Sequence, residues 1–387
     1  MKRVTKKLII ISILMFYILL WIKLTGTPFG YVRLYPKRIP LPKFNTDIKE
    51  PLLTLFTTFS EREPTRYIIQ NNTILNWCNL QQNHGYRLAV FYSAMHAKST
   101  LIETLNKATE IIRKLSGDNK FQCNVHSIFL TSKMMARGRP ILKRMYIEVQ
   151  NRWSSSLYAF CNGDILFHGD KFDASLKTIQ NYTRQQHFRE FLILGGRREN
   201  TFFRSKLNKT KTLTSGNDTE ILEIFGAAHT KKNYRYAMDY FICSKESFNW
   251  HRFPDFIITV PAFDSFLLVY ANKIGVVTFD ITESTKVVHQ SGAPKVKDDT
   301  YKDARELNQF IFLNTMTNWT WTMINFRKCI QYKSRTFEGK IYVGPSMLFK
   351  SKKCLYPKPM FLPVLDEDEL KWKNLSLYYR KDLHYKG

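Results

Sequence analysis

From residue 51 onward, short apolar runs alternate with longer stretches in which apolar residues recur at helical spacing. The runs at 52–59 (LLTLFTTF), 87–93 (RLAVFYS), 125–131, 156–167 (SLYAFCNGDILF), 191–195, 239–244, 275–280 and 286–289 predict buried strands. Residues 65–80, 101–115, 140–153, 172–186 and 261–272 read as helices. The third opens on Pro140, which suits a first turn because its missing N–H would have no helical partner there. Strands alternating with helices of this length predict an α/β fold, a mostly parallel sheet with helices on both faces. Residues 207–219, rich in Lys, Thr, Asn and Ser, read as a loop. The pattern past residue 300 assigns no element.

The N-terminus has a different texture. Lys2, Arg3, Lys6 and Lys7 lead into an unbroken apolar run over 8–22, closed by Lys23. The run is shorter than the roughly 20 residues of a typical span, but flanking lysines can snorkel and an early-secretory membrane is thin. It holds Phe16, Tyr17 and Trp21, and no small-residue cleavage site follows, so it reads as an uncleaved signal anchor. The basic residues before it favour a cytoplasmic start and a lumenal body, a single-pass type II arrangement in the Golgi or endoplasmic reticulum membrane. Pro28, Pro36, Pro40 and Pro42 among basic residues read as an extended stem. The expected organisation is tail and anchor 1–24, stem 25–50, a main domain 51–300, and an extension 301–387 packed on it.

Composition narrows the partners. An apolar fraction of 44% with 14% aromatic residues implies a packed body rather than disorder. A net charge of +27 in a cytosolic chain would suggest nucleic acid, which a lumenal body does not meet. The excess Lys and Arg then suits phosphate-bearing donors, acidic glycans or the membrane surface, over a background of solvated charge. Asn-X-Ser/Thr tripeptides at Asn71, Asn181, Asn208, Asn217, Asn318 and Asn374 agree with a lumenal, glycosylated body. The 6 cysteines have no short repeated spacing, which argues against a zinc knot. Cys329 and Cys354 are the nearest pair in sequence, and Cys161 and Cys243, inside apolar runs, read equally well as buried thiols.

Asn162-Gly163-Asp164 ends one buried strand. Ligands of open α/β sheets bind beyond the carboxyl ends of strands, where an Asp can coordinate a divalent ion that bridges to a diphosphate. The stretch ILKRMYIEVQNRWSSSLYAFCNGDILF (141–167) resembles the core of a family of glycosyltransferases with a nucleotide-diphosphosugar (GT-A) fold. Supporting stretches are TLFTTFSEREPTRYIIQNNTILNW (54–77), FLILGGRREN (191–200), MDYFICSKESFNW (238–250), PDFIITVPAFDSFLLVYANKIGVVTFDIT (254–282) and KVVHQSG (286–292), in the family's order. The resemblance implies a lumenal, metal-assisted transferase that moves a sugar from a nucleotide-sugar donor to a glycan or protein acceptor. It makes Asn162 and Asp164 the counterpart of the family's Asp-x-Asp metal motif, with Mn²⁺ or Mg²⁺ on Asp164. It sets Thr57 and Thr58 beside the nucleotide, Asp239 by the acceptor, Asp264 as base or acceptor contact, and His289 as a further metal or phosphate ligand.

Two positions depart from the family: Asn162 replaces the first acid, and the stretch before Asp264 lacks the usual Gly-Arg. A non-catalytic glycan- or nucleotide-sugar-binding relative, and a basic membrane-tethered scaffold, therefore stand beside the enzyme. Structural roles stand beside the chemical ones too. Asp239 and Asp264 could cap backbone donors, and His289 could simply be satisfied locally. Arg197 and Arg198 could be an exposed basic pair or a phosphate contact.

Overall fold

The computed structural model describes residues 50–59, 66–93, 95–200, 212–227, 238–290, 299–316, 326–349 and 354. The apolar run over 8–22, the stem, and the tripeptides at Asn208, Asn318 and Asn374 lie outside these residues. Among the described residues, no helix is long and apolar enough to cross a membrane.

Four strands lead the chain into the central sheet: β1 (Leu53–Thr58), β2 (Arg87–Tyr92), β3 (Val125–Phe129) and, after a short hairpin of β4 (Met135–Ala136) and β5 (Arg139–Pro140), β6 (Leu157–Cys161). The helices between them are α1 (Tyr67–His84), α2 (Met95–Ser116) and α3 (Leu142–Arg152). Then follow β7 (Ile165–Phe167), α4 (Gly169–Gln185), β8 (Phe191–Leu194), β9 (Arg198–Asn200), α5 (Asp218–Gly226) and β10 (Tyr240–Ser244). The last group is α6 (Phe263–Ile274), β11 (Val277–Glu283), β12 (Val287–Gln290), α7 (Asp299–Met316), β13 (Tyr332–Phe337) and β14 (Lys340–Pro345).

The main sheet has 9 strands in the order β14-β13-β11-β8-β10-β6-β1-β2-β3. It is mostly parallel, with β10 antiparallel to both neighbours and β14 antiparallel to β13. Alternation along β1 explains why both faces are covered: Leu53 and Leu55 point into one apolar cluster with Trp77 and Leu176, while Phe56 points into the other with Tyr146 and Phe266. Helices α1, α2, α4 and α5 cover the first face, and α3, α6 and α7 the second. The fold is thus mixed α/β with a large, mostly parallel sheet flanked by helices.

Four readings of the sequence need correction. Pro140 does not open a helix; it pairs in the β4–β5 hairpin, and α3 starts at Leu142 because the Ile141 backbone is still extended. The run over 156–167 is two strands, since β7 leaves the main sheet for a small one of order β7-β12-β9. The loop assigned to 207–219 gives way at Asp218 to α5, capped by the Asn217 side chain, which accepts from the Glu220 N–H. Past residue 300 lie α7 and the β13–β14 hairpin, which extends the sheet because β13 runs parallel to β11. Disulfides join Cys78 to Cys123 and Cys329 to Cys354, whereas Cys161 and Cys243 are buried free thiols.

Candidate functional site

Strand β1 is followed in the chain by β2 on one side and has β6 on the other, all three parallel. The chain order therefore reverses beside β1, and the carboxyl ends of β1 and β6 open a crevice there. Asn162-Gly163-Asp164 turns the chain out of β6 at that edge. A side chain on Gly163 would come within 2.8 Å of the Phe59 ring and 3.1 Å of the Thr58 carbonyl oxygen. Only glycine lets the turn lie this close to the end of β1. Thr73 of α1 holds it from the other side, donating to the Gly163 carbonyl at 2.9 Å.

This packing brings four of the residues singled out in the sequence together. His289 Nε2 faces Asp164 Oδ2 at 3.3 Å, across the β7–β12 pairing. Asn162 donates its carboxamide N–H to Asp239 Oδ1 at 2.8 Å. Asp239 also forms an ion pair with Arg197, which follows the Gly195-Gly196 bend. A side chain at Gly195 would overlap the Tyr240 hydroxyl, so that bend too requires glycine.

Burial alone would raise the Asp164 carboxyl. His289, then Arg197 and Arg66, reverse that and hold it at about 2. It is therefore ionised at neutral pH, while its Oδ1 is buried and accepts no hydrogen bond among the described residues. Arg66, at the N-cap of α1 and with a buried Nε that has no hydrogen-bond partner among the described residues, was not legible as a site residue, because charge proximity across the fold leaves no mark in local sequence. Arg197 and Arg198 are not an exposed basic pair: the first holds Asp239 and the second lies over the Phe225 ring.

The other three are placed differently. Thr57 is fully buried, and Thr58 at the rim donates to the Phe91 carbonyl at 3.1 Å. Asp264 stands in the first turn of α6. Its neighbour Phe263 packs against Phe160 and Phe241 at 6.1 and 5.7 Å, which brings this turn to the same sheet edge. Burial pushes the Asp264 carboxyl up to about 6, against the pull of the Ser265 N–H that it accepts at 2.7 Å.

Between β1, β2, α1 and α2 lies a small cleft of ≈ 30 Å³, open to solvent, with Phe59, Tyr67, Asn71, Tyr92 and Thr104 in its wall. Phe59 is the ring that Gly163 touches, so cleft and turn adjoin. Among the described residues, no group of three or more His, Cys, Asp or Glu side chains gathers that could hold a metal ion. The pair Asp164 and His289 offers one orphaned carboxylate oxygen and one imidazole. That donor set suits an ion such as Mg²⁺ only if phosphate oxygens and water complete the shell.

No family model matches the chain, and no curated protein matches it. Among solved structures, the inositol-1-phosphate CTP transferase from T. maritima is a loose likeness, with TM-score 0.32 and 10% identity over 67% of this chain and 96% of that one.

Proposed function

We propose that the protein is a membrane-anchored glycosyltransferase that uses a nucleotide-sugar donor, with its body in the lumen of the secretory pathway. The observation that carries this reading is Asp164: an ionised carboxylate at the reversal point of a parallel sheet, with one free oxygen, a facing histidine and an aromatic-walled cleft alongside. A nucleoside would enter beside Phe59, Tyr67 and Tyr92 by parting these side chains, which leaves the diphosphate at the turn. Asp164 and His289 would hold Mg²⁺ or Mn²⁺, whose chemistry is to offset charge on the departing diphosphate. Arg66 adds a fixed positive charge to the same space. Asp264, raised toward neutrality, suits a group that takes the proton of an acceptor hydroxyl. Asp239, with both oxygens engaged, serves to orient Asn162. Two disulfides support an oxidising compartment, and the apolar run over 8–22 supports anchoring to the membrane.

One observation favours the binding-only alternative. Asn162 stands where a second acid would, and Arg197 neutralises the nearest carboxylate. The full chain, purified in detergent and incubated with Mn²⁺ and a panel of nucleotide sugars, separates the readings. The transferase reading expects release of nucleoside diphosphate that Asp164→Asn lowers by roughly a hundredfold or more. Binding without release would establish the alternative. No binding of any donor would sink both.

A further inference from the structure

Three cations converge where β9, the start of β12 and α4 meet α5. The Arg198 guanidinium lies 4.0 Å from the centroid of the Phe225 ring, and the Lys286 ammonium 4.9 Å from the same ring. Lys171, in the first turn of α4, is near enough for its charge to act on Lys286. Burial first, then the charges of Arg198 and Lys171, press the Lys286 ammonium below its ordinary range. All three side chains are half-buried, and none forms an ion pair among the described residues.

Helix α5 explains part of this. Its final carbonyls attract a cation, and Arg198 Nη1 donates to the Phe225 carbonyl at 3.3 Å. One cation suffices for that task. Gathering two more adds mutual repulsion, in a setting where burial strengthens it. The carboxylates nearest in the described fold are taken up elsewhere: Asp218 accepts from the Gly169 and Asp170 N–H groups and faces His168, and Asp170 faces His84. With no carboxylate paired to it among the described residues, the cluster suits an anion.

We propose that Arg198, Lys286 and Lys171 form a binding site for a polyanionic glycan bearing phosphate or sulfate esters. Arg198 supplies the planar fork that pairs with two ester oxygens, and the lysines supply point charges around it. A glycan fits better than a lipid surface because Lys286 directly precedes β12, the strand that carries His289 toward Asp164. Whatever the cluster holds is presented beside the proposed transfer centre. That the glycan serves as acceptor rests on the transferase reading above; that it binds does not.

The test uses the full chain in detergent with a sulfated polysaccharide, heparin, as probe at about 0.15 M salt. Lys171→Gln/Arg198→Gln/Lys286→Gln should weaken binding about tenfold or more, while Lys120→Gln/Lys273→Gln/Lys340→Gln, which removes equal charge elsewhere, should stay within about twofold. Equal losses in the two triple variants would mean diffuse attraction by net charge and would overturn the proposal. So would cluster-dependent binding to anionic vesicles but not to heparin. Lys171→Glu alone, with its melting temperature checked, guards against misfolding and should still weaken binding about threefold. If heparin binding depends on the cluster but no nucleotide sugar binds the wild-type chain, the glycan site stands and the transferase reading falls.

Discussion

Asp164 and Asp264 share an ordinary carboxyl value of 3.8 and are driven in opposite directions by their surroundings. Asp164, at about 2, has its charged form favoured in the folded state. The stability it contributes is fully present above about pH 4 and is lost as pH falls through 2. Asp264, at about 6, has its charged form disfavoured, so folding binds an extra proton between pH 4 and 6. Stability therefore falls as pH rises through that window. Asp264→Asn should remove the penalty, gaining on the order of 2 kcal/mol over wild type at pH 7.5 and little at pH 4, as read by urea titration. A gain that does not change with pH would show that the carboxyl is not perturbed. If Asp264 is the base, turnover by the wild-type chain should rise with pH through about 6 and drop by a hundredfold or more in the same variant. A substitution that stabilises and inactivates together is the mark of a group held at a cost for chemistry.

At the scale of elements, the segment leading into α6 carries visible strain. Thr259 has φ 73° and Ala262 φ 94°, the left-handed region that β-branched residues avoid most strongly. Neighbours hold the segment there: Arg139 donates to Thr259 Oγ1 at 2.7 Å, and Asn308 donates to the Pro261 carbonyl at 3.1 Å. Ala262→Gly should therefore raise stability by about 1 kcal/mol in urea unfolding, since glycine adopts this backbone freely. A destabilisation instead would mean the methyl group's buried contacts outweigh the strain. This local conflict was invisible in the sequence, where Pro261 and the apolar run after it simply read as a helix start. Strands between 52 and 290 were legible because burial on both faces leaves unbroken apolar runs. Strand β9 was not, being three polar residues, Arg198–Asn200, that pair with β12. Helix α5 had a readable signal, Asn217 three positions before Glu220, which the polar composition of its surroundings hid. Of the site, Asp164 was legible from its strand end, whereas Arg66 and Arg197 reach it from remote segments.

Across the whole molecule, the two disulfides sit toward opposite ends of the nine-stranded sheet. Cys78–Cys123 fastens α1 to the segment entering the edge strand β3, and Cys329–Cys354 lies just before β13, beside the edge hairpin. Edge strands have a neighbour on one side only, so they open at lower free energy than central ones. Hairpin β13–β14 also exposes Phe337 and Tyr342, which weakens its apolar hold. The centre needs no such aid: every residue of β6 and β10 is buried. Closing loops of 45 and 25 residues limits the unfolded chain by about 3–4 kcal/mol each on the chain-entropy account. Reduction should therefore loosen the sheet from its ends inward. Hydrogen exchange of the reduced chain should quicken in β3 and in β13–β14 by an order of magnitude or more, while β1, β6 and β10 keep their protection. Uniform acceleration across all strands would show that the bridges stabilise the body as one cooperative unit. If the edges do yield first, the Asp164 turn, at the carboxyl end of central β6, stays formed in a reducing medium, and donor binding should survive conditions that already fray the sheet's margins.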